Sequence, residues 1–104
     1  MQNKEELKNN FNKEVENTIV MYKNAVGGFT PNTDKILYNS DKINSLSNLM
    51  KSGEAQKGFK ILRNSNKLDK TFEALVIKYK KLFTEKVIIA AQWRLDNAWE
   101  MDKK

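Results

Sequence analysis

Leu7, Phe11, Val15, Ile19, Tyr22 and Val26 follow one another at steps of four, four, four, three and four residues. That spacing lines them up as one stripe of an α-helix, so the first quarter of the chain is committed to a helix that must bury one face. Glu5 and Glu6 fall in its first turn, where carboxylates oppose the positive end of the helix dipole, and Gly27 with Gly28 can supply a left-handed cap at its end. The stretch from Gly27 to Asn32 holds the one proline of the chain and two of its four glycines, which predicts a turn.

A second helix can start from Asn32 or Thr33 as cap, with Asp34 in its first turn. Ile36, Ile43 and Met50 recur in it every seven residues, beside Leu46 and Leu49. The cluster Asn39-Ser40-Asp41 can break it, because these short polar side chains compete for backbone groups. Gly53 reads as its terminator. A short amphipathic stretch follows, with Ala55, Phe59 and Leu62 on one face and Lys57, Lys60 and Arg63 over the other arc, until Asn64-Ser65-Asn66 ends it. Gly53 and Gly58 lack the strand–loop–helix context of a phosphate cradle and read as caps or packing positions.

From Asp69 to Met101 no glycine or proline interrupts, and Phe72, Leu75, Val76, Tyr79, Leu82, Phe83, Ala90 and Trp93 share one helical face. The economical reading is one helix over about 69–101, capped by Asp69 and roughly 50 Å long. A compact ball of this chain length is only about 34 Å across. Either the molecule is elongated, or the helix breaks at Thr84 with Phe83 and Ile88 as a hydrophobic staple. Leu82-Phe83-Thr84-Glu85 has none of the usual turn residues, so the expectation is continuity or a mild kink. A second stripe, Ile77, Ile88 and Trp99 at eleven-residue spacing with Ala91 and Leu95 beside it, either fills the core or forms an interface, most simply in a two-fold homodimer. The resulting expectation is an all-α single domain over 1–104. It is a three- or four-helix bundle with a long C-terminal helix (about 69–101) packed against an N-terminal helix (about 4–26).

Cysteine and histidine are both absent, which removes disulfides, thiolate chemistry, most zinc sites and imidazole acid–base catalysis. Glu14 with Glu16, and Asp96 with Glu100 and Asp102, form no recognisable ligand pattern. No nucleophile stands at a telling distance from a base, and Tyr22, Tyr38 and Tyr79 read as core caps with exposed hydroxyls. The chain is therefore read as a non-enzyme with no cofactor and no metal.

What distinguishes it is charge. The net charge of +6 sits between Lys57 and Lys86, where nine basic residues face only Asp69, Glu73 and Glu85; the rest of the chain balances ten against ten. A field concentrated in this way can steer an anionic partner. The expected function is binding of another protein with an acidic surface, as an inhibitor, accessory subunit or adaptor of the kind phages and plasmids carry. Lys57, Lys60, Arg63, Lys67, Lys70, Lys78 and Lys81 would form the basic surface, with an apolar patch near Trp99 or Tyr38 closing the contact. The first alternative is a nucleic-acid-binding regulator whose same lysines contact phosphates, with a faint helix-turn-helix over Leu49–Leu62. Only two of the nineteen basic residues, Arg63 and Arg94, are the arginines best suited to read base edges. The second alternative is a membrane-associated helical protein like the small basic bundles that confer bacteriocin immunity, which no residue motif supports. The strongly apolar run Val87–Ala91 falls far short of the ~20 residues a bilayer requires, and the N-terminus lacks the apolar core of a signal peptide. No membrane insertion and a cytoplasmic location are expected.

Overall fold

A computed structural model describes residues 4–52 and 56–102, with side chains described through Glu100. The fold is all-α, and among the described residues it has six α-helices: α1 (Lys4–Val26), α2 (Pro31–Leu37), α3 (Lys42–Ser52), α4 (Gln56–Asn64), α5 (Phe72–Lys78) and α6 (Glu85–Asp96). Short 3₁₀ turns cover Leu68–Lys70, Lys80–Leu82 and Ala98–Asp102.

α1 follows its stripe. Phe11, Val15, Ile19 and Tyr22 are buried and Leu7 packs against the same core. Gly27 and Gly28 take φ +79° and +136°, and the Gly27 amide donates to the Lys23 carbonyl at 2.7 Å, closing the helix where a β-carbon would be strained.

The second helix of the sequence reading is two helices. α2 is capped by Thr30, whose hydroxyl accepts from the Thr33 amide at 3.2 Å, with Pro31 opening the first turn. Asn39 and Asp41 then capture the backbone: Asn39 Oδ1 accepts from the Asp41 amide at 2.9 Å, and Asp41 Oδ1 accepts from the amides of Ile43 and Asn44 at 3.1 and 3.2 Å. The reversal is locked by Ser45, fully buried, whose hydroxyl donates to the Ile36 carbonyl at 2.9 Å. α4 lies on α1 at a close approach only glycine allows, since a β-carbon on Gly58 would stand 2.4 Å from the Tyr22 ring. The assignment of Gly53 and Ala55 falls outside the described residues.

The expected helix over 69–101 is overturned. Asp69 lies in a 3₁₀ turn, and α5 starts instead at Thr71, whose hydroxyl accepts from the Ala74 amide at 3.1 Å and donates to the Leu68 carbonyl at 2.8 Å. α5 ends at Tyr79, a 3₁₀ turn follows, and Phe83 and Thr84 are extended before α6 begins. The break is where Thr84 allowed one, although the Thr84 side chain makes no cap bond. An aromatic clamp favours it: Tyr79 and Phe83 both meet Phe11 edge-on, with ring centroids 5.3 and 5.5 Å away. Each such contact contributes about 0.5–1.5 kcal/mol beyond its buried area. The reversal folds α6 back onto α5 and α3, bringing Val87 and Ala91 into the core within a radius of gyration of 13.1 Å.

The break also undoes the eleven-residue stripe. Ile77 stays on α5, Ile88 and Leu95 on α6, and Trp99 on the last 3₁₀ turn. Ile77 and Ile88 pack partly against the core, Leu95 is half-buried, and Trp99 is 60% exposed. Trp93, expected on the same helical face as Phe72 and Leu75, instead faces out with Ile89, each 59% exposed, while Val87, Ala91 and Arg94 face in.

Candidate functional site

The cations of the chain divide by type. Arg63, assigned to the basic surface, is a correction: it is 2% exposed, turned inward with Phe59 and Leu62. Its Nη1 donates to the Ala98 carbonyl at 2.8 Å, its Nε and Nη2 donate to Asn64 Oδ1 at 3.0 and 2.8 Å, and the guanidinium lies 4.7 Å from the centre of the Trp99 ring. A planar five-donor fork can satisfy carbonyl, amide and ring together, which an ammonium cannot. Arg63 thus pins the C-terminal turn to α4.

Arg94 is 7% exposed and spans three elements. Its Nη1 donates to Glu73 Oε2 at 3.0 Å, and its Nη2 donates to the carbonyls of Met50 and Leu49 at 2.9 and 3.3 Å, satisfying the end of α3. Burial pushes the Glu73 carboxyl above its ordinary value, and the Arg94 charge and hydrogen bond offset this only in part. Tyr22 is fully buried, contrary to the expected exposed hydroxyl; it accepts from the Phe72 amide at 3.1 Å. Burial, and then the Glu73 charge, hold its phenol well above the ordinary value. These acids and phenols are sealed in the core and act as structural polar groups.

None of the described lysines is buried as the arginines are, although Lys42 and Lys60 are half-buried. Lys67, Lys70 and Lys78 are all exposed and converge on one flank of α1. Lys78 Nζ stands 2.8 Å from Glu14 Oε1, and Tyr79 donates to the other oxygen of the same carboxylate. Partial burial pushes Glu14 up, but the hydrogen bonds from Lys78 and Tyr79 and the charges of Lys78 and Lys70 outweigh it, so its pKa lies below the ordinary value. Burial and the bond to Glu14 push the Tyr79 phenol up to about 12. Lys67 stands further along, on the rim of a groove of about 560 Å³ between α1 and α4. Val20, Met21, Ala25, Ile61 and Leu62 supply its apolar part, and Asn17, Asn24, Ser65 and Lys67 its polar part, with no carboxylate among them. Of the remaining candidates, Lys57 is exposed at the start of α4, Lys60 is half-buried within it, and Lys81 is exposed on the 3₁₀ turn.

A second groove, about 570 Å³, lies between α1 and α2 and is lined by Glu16, Asp34, Lys23 and Lys42 around Ile19, Phe29, Leu37 and Tyr38. Its charges compensate one another: Lys42 stands 3.6 Å from Glu16 and donates to the Leu37 carbonyl at 2.6 Å. Tyr38, the other apolar candidate, is 90% exposed at its edge.

The sequence reading passed over Val20, which is 56% exposed on the α1–α4 groove. Its signal was available, since an apolar residue just outside the Leu7–Val26 stripe belongs to the solvent face of the helix. Among the described residues, no three acidic side chains gather as a metal site, and no helix is long and apolar enough to cross a membrane. Comparison of the chain with family models, curated proteins and solved structures found no match.

Proposed function

We propose that this chain is a non-enzymatic binding protein that docks an acidic segment of another protein along the α1–α4 groove. The observation that carries this reading is the pairing of a groove with no carboxylate among its described lining residues with three exposed lysines on the same flank of α1, of which Glu14 compensates one. An apolar floor that includes Val20 supplies burial, and the lysine row supplies steering and register. Attraction of this kind raises the association rate more than it lengthens the complex's lifetime.

The placement of the arginines supports a protein partner over a sequence-reading nucleic-acid partner. Both are interior, so the side chain best suited to guanine is missing from the surface, and the second helix of the faint helix-turn-helix turns its arginine away from any groove. Lysines alone can still bind phosphates without reading sequence.

The test is capture from the source organism by the native chain and by a Lys67→Glu, Lys70→Glu variant, each with and without nuclease. The reading expects a partner that survives nuclease and associates about tenfold or more slowly with the variant. Lys23→Glu, in the charge-compensated groove, is the control and should capture normally. A partner lost on nuclease treatment, or one bound equally by the variant, overturns it. In the first case, gel shifts at two salt concentrations should show the steep loss of affinity expected of phosphate contacts.

A further inference from the structure

We propose that the outward face of α6 is a self-association surface, on which a second copy of this chain packs its own α6 antiparallel about a two-fold axis at residue 91. Lys86, Ile89, Trp93 and Asp96 are all exposed and follow one another at steps of three, four and three. That is the spacing of a coiled-coil seam, on the side of the helix away from Val87, Ala91 and Arg94. Ile89 and Trp93 form its centre, each 59% exposed and one turn apart, and they give the seam a contiguous apolar middle.

The charges at its two ends select the partner and its direction. In an antiparallel pair centred on residue 91, Ile89 of each copy meets Trp93 of the other, and Lys86 of each meets Asp96 of the other. A parallel pair would set Lys86 against Lys86 and Asp96 against Asp96, two like-charge contacts. At the flanking positions the antiparallel register puts Glu85 near Gln92 and Ala90 near Asn97, which adds no repulsion. Gln92 already donates to Asp96 Oδ1 at 2.9 Å and holds that carboxylate on the outer face. The opposite side of α6 is tied to the core by the buried Arg94–Glu73 pair, 3.0 Å apart.

The helix is about 18 Å long, so one such pair buries less surface than a standard interface, and the dimer belongs to the weak, concentration-dependent class. This surface shares no residue with the α1–α4 groove, so it stands or falls independently of the docking proposal.

Sedimentation of the full chain from about ten to several hundred micromolar tests it. The expected result is a monomer–dimer equilibrium that Trp93→Ala weakens about tenfold or more. Lys86→Asp should weaken it several-fold by setting two carboxylates face to face, and adding Asp96→Lys to that variant should restore native affinity by rebuilding the pair in reverse. All three substitutions are at exposed positions, so none needs the fold to rearrange. A monomer at every concentration, a dimer indifferent to Trp93→Ala, or a double exchange that fails to recover association would each overturn the proposal.

Discussion

Arg94 and Lys67 carry the same formal charge, yet one is sealed in the protein and the other stands on its rim. Around Arg94, three acceptors from two elements converge on a single guanidinium: a carboxylate from α5 and two carbonyls from the end of α3. Around Lys67, Lys70 and Lys78 the carboxylate that feels the row is the part-exposed Glu14. The contrast shows that basic character in this chain serves two opposite ends. A delocalised fork with five donors can be desolvated when several acceptors are waiting for it, whereas a compact ammonium keeps its water and remains available to a partner. The segment 57–86 is therefore not one uniform surface, because its arginine belongs to the architecture and its exposed lysines to the outside.

The sharpest way to break the contrast is Arg94→Met. It leaves the Glu73 carboxylate buried without its cation and the α3 carbonyls without a donor, and should cost about 3–5 kcal/mol in urea unfolding. Adding Glu73→Leu should recover much of that loss, because an apolar pair of similar volume has no charge to desolvate. The single variant carries a pH signature. Burial already holds the Glu73 pKa above its unfolded value, and loss of Arg94 raises it further. A carboxyl whose pKa is raised on folding favours the folded state below its unfolded value and loses that contribution as pH rises through the folded value. The destabilisation should therefore be larger at neutral than at mildly acidic pH, and a pH-independent loss would show that removing Arg94 does not raise the Glu73 pKa further.

Arg63→Met is the intermediate case, since its partners among the described residues include a carbonyl, an amide oxygen and a ring. A loss of about 1–3 kcal/mol is expected. It should be concentrated at the C-terminal turn, where hydrogen exchange at Ala98 and Trp99 should quicken more than exchange in α1. Uniform loosening of both would show that Arg63 supports the whole core.

The smallest effect on stability belongs to the lysines. Lys67→Glu with Lys70→Glu should leave the unfolding free energy within about 0.5 kcal/mol of the native chain, because exposed charges contribute little. The same variant carries the binding test, so a large stability loss would place these lysines with the arginines and remove the distinction.

Where the folding information is local, it was legible in the residues. The α1 stripe, the Gly27–Gly28 cap and the backbone competition at Asn39 and Asp41 each act within a turn or two of chain, and each stands where its side-chain chemistry placed it. The reversal between α5 and α6 was not legible in that way. Leu82 to Glu85 contains no glycine, proline or asparagine, and much of what holds the bend is Phe11, at the other end of the sequence. A straight helix over 69–101 sets Trp93 on one face with Phe72 and Tyr79, so the outward pairing of Ile89 with Trp93 emerges only where the chain folds back. The inward turn of Arg63 was equally hidden, because its acceptor, the Ala98 carbonyl, lies 35 residues away.

By itself, then, the order of side chains determined an all-helical protein without histidine or cysteine chemistry, its surplus of cations gathered in one segment. Tertiary structure decided which cations are desolvated, which face of each helix meets water, and where the C-terminal third folds back. Helical periodicity and caps are short-range and accumulate along the chain, whereas desolvating a guanidinium or closing an aromatic clamp becomes favourable only when groups remote in sequence have already met.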